Sequence, residues 1–305
     1  MSLNIQNFFG VSLGEKKINT KAEYEKKYSL KLYKKTIVKT GPKNLFYTDK
    51  NTTTLDLAIE AYNDFLKKNS KFDKKKINNL IFVTETNKFN FPGNSFLFAS
   101  LVNLNPTIKL YDLNSGCTGF VDALDLANNL KGTSLIVCAE TYSKHMNKFD
   151  RATSSLFSDG GSVFYFNKKN IKIIKTFKFF RKNSFKDLCS KDNHLSMDGT
   201  KVYDFVNSEV IKLLKSIIKK NKQIKILFNH QASLAVENLI KDKLNKYKIV
   251  IPSNIKKIGN TVSSSIPHLL NEYLKKNKIK INSEILICGF GVGLTVTASI
   301  IKIIK

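Results

Sequence analysis

Residues Ile108–Lys131 read IKLYDLNSGCTGFVDALDLANNLK. The stretch opens on a short apolar run, Ile108 to Leu113, of strand length. A turn of small residues follows, Asn114-Ser115-Gly116, and then Cys117. Behind the cysteine, Phe120, Val121, Leu124, Leu126, Ala127 and Leu130 recur at spacings of three and four, which predicts a helix. The order is strand, sharp turn, cysteine, helix. Unpaired backbone N–H groups and the macrodipole favour an anion at a helix start. A thiol placed there tends toward a lowered pKa, and the thiolate is the nucleophile. The competing reading is a small core filler, the commonest fate of a lone cysteine. The small-residue turn leaves room around the sulfur and favours the nucleophile. Cys138 and Cys288 lie inside apolar runs, and Cys189 lies in a polar stretch with no partner motif.

Outward from this stretch the same grammar repeats. Thr54–Leu66 reads as an amphipathic helix, with Leu55, Leu57, Ala58, Ala61, Tyr62 and Phe65 as its apolar set. Asn79–Thr86 reads as a strand, Asn94–Leu104 as a helix and Thr133–Glu140 as a buried strand. Strands alternating with helices predict a parallel α/β sheet. Ser162–Phe166 and Ile171–Phe180 read as strands, His194–Thr200 as a loop and Lys201–Lys219 as a long amphipathic helix. Then come a strand at Gln223–Phe228, a helix at Ala232–Leu244, a strand at Lys248–Ile251 and a helix ending near Leu274. Glu284–Cys288 and Leu294–Ile300 read as the last strands, joined by a glycine-rich turn. The runs Asn79–Glu140 and Gln223–Cys288 share one order of elements. We read an internal duplication, with halves at residues 1–168 and 169–305. Residues 1–50 are the least legible: a strand near Ile5–Leu13, a charged helical piece at Lys21–Lys34, and a turn at Thr40-Gly41-Pro42. In open α/β sheets ligands bind beyond the carboxyl ends of the strands. Cys117, His230, Asn260 and the Gly289–Gly293 loop all occupy such positions.

The bulk numbers narrow the classes. At 305 residues the chain is long enough for two modest domains or one large one. With 42% hydrophobic and 25% charged residues it is globular rather than disordered. Four scattered cysteines make neither a disulfide framework nor a zinc motif, which favours a reducing compartment. The first residues lack a secretory leader and no apolar run has membrane length, so the expectation is a cytoplasmic protein without a membrane anchor. A net charge of +27 raises a nucleic-acid hypothesis. Against it, the only arginines are Arg151 and Arg181, and the lysines are spread along the chain. Base readers exploit arginine's fork. The charge reads as a solvated surface that also attracts acidic partners.

Six segments occur in a telling order: GCTGFVDAL around Cys117, DRATSSLFSDGG at Asp150–Gly161, HLSMDGTKVYDF at His194–Phe205, NHQAS at Asn229–Ser233, GNTVSSSIP at Gly259–Pro267 and GFGVGLT at Gly289–Thr295. Together they resemble the β-ketoacyl-acyl-carrier-protein synthase III family of the thiolase superfamily. The resemblance implies an α/β fold of five layers, αβαβα, and a homodimer. It implies a Cys-His-Asn site with Cys117 as nucleophile and His230 and Asn260 as its partners. It places backbone N–H groups of Cys117 and Val292, between Gly291 and Gly293, around an oxyanion. It places Arg151 against a coenzyme A adenine and Phe91 in a neighbouring subunit's acyl pocket. It implies thioester substrates on coenzyme A or an acyl carrier protein, with no permanently bound cofactor and no metal. Lys257 would meet the acidic carrier protein.

Departures from the family pattern matter too. The chain has no tryptophan, and Lys35 falls near the place of the usual one. Lys39 stands for the arginine that follows it, Ser233 for the last asparagine of HQAN, and Val292 for a common third glycine. The first three point away from coenzyme A as a tight or sole donor. Three functions compete. A decarboxylating condensing enzyme needs both His230 and Asn260. An acyltransferase to an oxygen or nitrogen acceptor has less use for them. A basic nucleic-acid-binding protein would be indifferent to Cys117→Ala. Plain structural roles also compete: Asn260 as a helix N-cap, Phe91 as a core aromatic, Arg151 and Lys257 as surface charges.

Overall fold

The computed structural model describes residues 5–147, 149–150, 153–191 and 194–304. The N-terminal part runs β1 (Phe9–Leu13), β2 (Lys16–Asn19), α1 (Thr20–Lys27), α2 (Leu30–Thr40), β3 (Asn44–Tyr47) and α3 (Thr54–Lys68). It continues with β4 (Asn79–Val83), α4 (Asn94–Leu101), β5 (Lys109–Leu113), α5 (Gly119–Asn129), β6 (Ser134–Glu140) and β7 (Gly160–Phe166). After Phe166 come β8 (Ile171–Phe180), β9 (Leu188–Lys191), β10 (His194–Met197), α6 (Gly199–Phe205), α7 (Ile211–Lys220) and β11 (Leu227–Asn229). The chain closes with α8 (Leu234–Leu244), α9 (Ile255–Ile258), α10 (Ser265–Lys276), β12 (Glu284–Gly291) and β13 (Thr295–Ile303).

Two main sheets form. The first has the order β5-β4-β6-β7-β1, and the second β11-β12-β13-β8. Beyond β11 a single parallel bridge ties Val250 to Ile226. Counting strands along each half, both sheets then read third, second, fourth, fifth, first. The duplication expected from sequence is present as this shared order. In each, the fourth strand runs parallel to the second and antiparallel to the fifth, as in Val83↔Cys138 and Cys288↔Ala298.

Side-chain alternation along the strands builds five layers. Leu80 and Phe82 of β4 face α3, meeting Leu57, Ala58, Ala61 and Phe65. Ile81 and Val83 face the other way, onto Phe120, Val121, Leu124 and Ala127 of α5. That middle layer, completed by Ile266, Leu269 and Leu270 of α10, also covers Ile285, Ile287 and Ile301 of the second sheet. Leu286, Cys288 and Phe290 point to the far side, under Leu214 and Ile218 of α7 and Val236 and Ile240 of α8. Each of the Val, Leu, Ile and Phe side chains among these contributes roughly 1.5–3 kcal/mol by leaving water. α3 starts at a capping box: Thr53 accepts from the Asp56 N–H, and Asp56 accepts from the Thr53 N–H. α3 lies so close to β1 that a Cβ on Gly10 would stand 2.0 Å from the Ala61 carbonyl oxygen.

Several segments differ from the sequence reading. Lys248–Ile251 is not a strand but the one bridge at Val250, which is 52% exposed, so no apolar face drives it into the sheet. His194–Thr200 is not all loop: β10 pairs with β9, burying Leu188 and Leu195. Asp198 then caps α6 by accepting from Thr200 and Lys201. The helix expected at Lys201–Lys219 has a π turn at Val206–Val210. Lys21–Lys34 is split, because Ser29 caps a second helix by accepting from Leu32. The glycine segment Gly289–Gly291 belongs to β12, and the turn lies at 292–294.

Candidate active site

The turn after β5 delivers Cys117 to the floor of a cavity of about 600 Å³. Gly291, His230 and Asn260 line the same cavity, and Leu156, Phe157, Leu188, Val236 and Phe290 give it apolar walls. Thus three side chains named from distant parts of the sequence surround one space. Cys117 is 6% exposed. The backbone N–H groups of Val292 and of Cys117 itself act on its thiol in the direction that favours the ionised form. Gly291 comes so near that a Cβ there would lie 2.6 Å from Sγ.

His230 follows β11 directly, and its N–H extends the ladder to the Cys288 carbonyl at 2.8 Å. The ring sits edge-on to Phe290, with Nδ1 at 2.6 Å from the Ser265 hydroxyl. Burial lowers its pKa to about 3, so the imidazole is neutral at ordinary pH. Asn260 is pinned by its backbone, which bonds Leu156 and Ser158. Its Oδ1 accepts from the Val262 N–H at 2.8 Å, which fixes the amide with Nδ2 toward His230 Nε2, 3.4 Å away. Gly259 permits this placement: its φ is +73°, and a Cβ would strike Leu45 and the Leu156 carbonyl.

The electrostatics correct one expectation. The Cys117 thiol is not pushed toward thiolate; burial and then Glu85 raise its pKa, and the Val292 N–H opposes them only in part. Glu85 and its neighbours carried no signal in the sequence reading. Glu140 ends β6 fully buried, accepting from Ser263 (2.8 Å), Thr86 (3.0 Å) and the Glu85 N–H (3.1 Å). Burial and Glu85 push its pKa up to about 8. The Tyr142 hydroxyl donates to the Glu85 carboxylate, while its ring packs against Phe157 of the cavity wall. The signal available was a carboxylate ending an apolar strand, TSLIVCAE.

The other expected residues are dispersed. Lys39 lines the cavity and is exposed. Phe91 is 85% exposed and away from the cavity lining. Lys257 is paired with Glu272 and also lies away from it. Arg151 lies outside the described residues. Val292 and Gly293 border a second cavity of about 550 Å³ with Glu85, Gly116 and Phe180. Among the described residues no group of three or more His, Cys, Asp or Glu side chains could hold a metal ion. No described helix is long and apolar enough to cross a membrane.

Comparison with known proteins bears on this geometry. A crystal structure of 3-oxoacyl-[acyl-carrier-protein] synthase III from Aquifex aeolicus VF5 superposes with a TM-score of 0.85, covering 96% of this chain and 98% of that one at 24% identity. The priming β-ketosynthase of the R1128 polyketide pathway does so with a TM-score of 0.85 at 19% identity, covering 98% and 96%. The fold is therefore the thiolase-like αβαβα fold of condensing enzymes. Residues 111–181 match the family described as 3-oxoacyl-[acyl-carrier-protein (ACP)] synthase III, and residues 215–303 match its C-terminal part. The β-ketoacyl-[acyl-carrier-protein] synthase III of Streptococcus agalactiae serotype III (strain NEM316) is 30% identical over 282 residues, 84% of this chain and 87% of the relative. The chain belongs to the β-ketoacyl-acyl-carrier-protein synthase III family.

Proposed function

We propose that the chain condenses an acyl thioester with a malonyl thioester, releasing carbon dioxide and a 3-oxoacyl thioester. Cys117 is the nucleophile. Its sulfur attacks the acyl carbonyl, the N–H groups of Cys117 and Val292 hold the oxyanion, and the donor thiol leaves with the cysteine's proton. A malonyl thioester then enters. Its carboxylate departs as carbon dioxide, and the electron pair left behind forms an enolate whose oxygen takes hydrogen bonds from His230 and Asn260. The enolate carbon attacks the acyl-cysteine and the Cys117 sulfur is expelled. In this reading residues 1–168 supply the nucleophile and residues 169–305 the enolate donors. The convergence of His230 Nε2 and Asn260 Nδ2 on the cavity that holds Cys117 carries the proposal, because transfer to an oxygen or nitrogen acceptor has less need of that pair.

The substrates ride on an acyl carrier protein or on coenzyme A. Lys39, at the cavity, would meet a phosphate or an acidic carrier; Lys257, ion-paired with Glu272 away from the cavity, keeps only the carrier role that family resemblance suggests. Arg151 and Phe91 retain the adenine and cross-subunit roles that family resemblance assigns them. Intact-mass spectrometry after incubation with a panel of acyl thioesters, followed by malonyl thioester, tests the scheme. An acyl adduct on Cys117, absent in Cys117→Ala, is expected, and it should discharge with release of carbon dioxide. An adduct that leaves only to an alcohol or amine, with malonyl untouched, favours the acyltransferase reading instead.

A further inference from the structure

We infer that Ser265 is a positioning residue that fixes the tautomer of His230, so that its Nε2 carries the proton needed at the enolate. The inference rests on the condensing scheme above for its consequence, and on hydrogen-bond accounting for its substance. A neutral imidazole has one N–H and one lone pair, and whatever occupies one nitrogen decides the state of the other. Both His230 and Ser265 are 1% exposed, so water does not make the choice.

Two arrangements are open. In the first, Nδ1–H donates to Ser265 Oγ, and Nε2 accepts from Asn260 Nδ2. That second bond is long, at 3.4 Å. It also strands the serine proton: among the described residues, Oγ of Ser265 has no hydrogen-bond partner other than His230. A buried hydroxyl proton without an acceptor costs about 1–3 kcal/mol. In the second arrangement the serine donates to Nδ1 across 2.6 Å, and Nε2–H points into the cavity. Nothing buried is stranded on the serine side. On the cavity side Nε2–H and Asn260 Nδ2 lie next to each other; Nδ2 gives one of its two protons to the Ala232 carbonyl at 3.4 Å and keeps the other for the cavity. Asn260 cannot rotate to offer its oxygen, because the Val262 N–H already holds Oδ1. The second arrangement wins, and it is a pair of donors waiting for an incoming oxygen.

Without the serine hydroxyl Nδ1 has no partner in either tautomer, and the preference for Nε2–H is lost. A bare Nε2 can then accept from Asn260 in part of the molecules, and in those the enolate position lacks a donor. The test uses the full-length protein labelled with 15N-histidine, where four histidines keep the spectrum readable and protonated and unprotonated ring nitrogens resonate far apart. The wild type is expected to show His230 with Nε2 protonated and Nδ1 bare. Ser265→Ala is expected to populate both tautomers and to slow carbon dioxide release from malonyl thioester about 10-fold, the low end of what losing the partner that orients a metal-bound histidine costs. Acylation of Cys117, which uses backbone donors, should change by less than about threefold. A protonated Nδ1 in the wild type, or undiminished decarboxylation by Ser265→Ala, overturns the inference. Should the variant not fold, the wild-type spectrum alone decides. Should the wild type fail to decarboxylate malonyl thioester at all, the condensing scheme fails, while the tautomer is still read from the same spectrum.

Discussion

Glu140 shows what one buried carboxyl does to a whole chain's response to pH. Its ordinary value is 4.5, and burial with Glu85 beside it raises that to about 8. Between those limits the folded chain keeps a proton that the unfolded chain has released. Stability therefore falls as pH rises through that window. Glu140→Gln removes the linkage, and its one oxygen keeps either the Ser263 bond made to Oε1 or the Thr86 bond made to Oε2. From pH 5 to pH 8 the wild type should lose several degrees of melting temperature more than the variant, on the order set by a few kcal/mol in a chain this long. Parallel scanning-calorimetry curves for the two proteins would rule the idea out. At this scale the sequence is uneven as a source. Cys117, His230 and Asn260 can be named because each follows a strand or a glycine in a distinctive segment. Ser265 is one of three consecutive serines, and only the register of α10 makes it the one that faces the imidazole.

At the scale of elements, the meeting of β12 with the start of α5 sets the nucleophile. β12 passes so near Cys117 that residue 291 has no room for a side chain. Gly291→Ala must shift either the sulfur or the loop that carries the Val292 N–H. A displacement near 1 Å commonly costs about 100-fold in rate. Time-resolved mass spectrometry should find acylation of Cys117 slowed to that degree in the variant; acylation at the wild-type rate would refute the close-packing argument. Elements with strong apolar periodicity, such as α3 and α5, are legible from residues alone. Those in the first fifty residues are not. α1, TKAEYEKK, buries only Thr20 and Tyr24 and has no apolar stripe to read. Val250 misleads in the opposite sense, because a β-branched residue between hydrophobic neighbours looks like strand whether or not a sheet edge receives it.

For the molecule as a whole, the edge of the first sheet is conspicuous. Among the described residues no strand pairs with the outer side of β5, which ends that sheet. Around it Leu110 is exposed, as are Phe96 and Leu101 of the adjacent α4. An open apolar edge is a pairing site unless a chain covers it. We propose that a second copy does so. Light scattering at micromolar concentration should then report a mass near twice 34.6 kDa. A species of 34.6 kDa would refute the pairing. The surface charge acts at the same scale: with +27 spread mainly over lysines, the molecule draws acidic partners without a dedicated stripe.

The sulfur's setting has a further consequence. Peroxide and alkylating poisons attack the ionised form of a cysteine, and oxidation begins from that form. A sulfur held protonated under apolar walls offers them little. Peroxide should therefore leave Cys117 a thiol at doses that oxidise a solvent-exposed cysteine, which mass spectrometry of the treated protein would read.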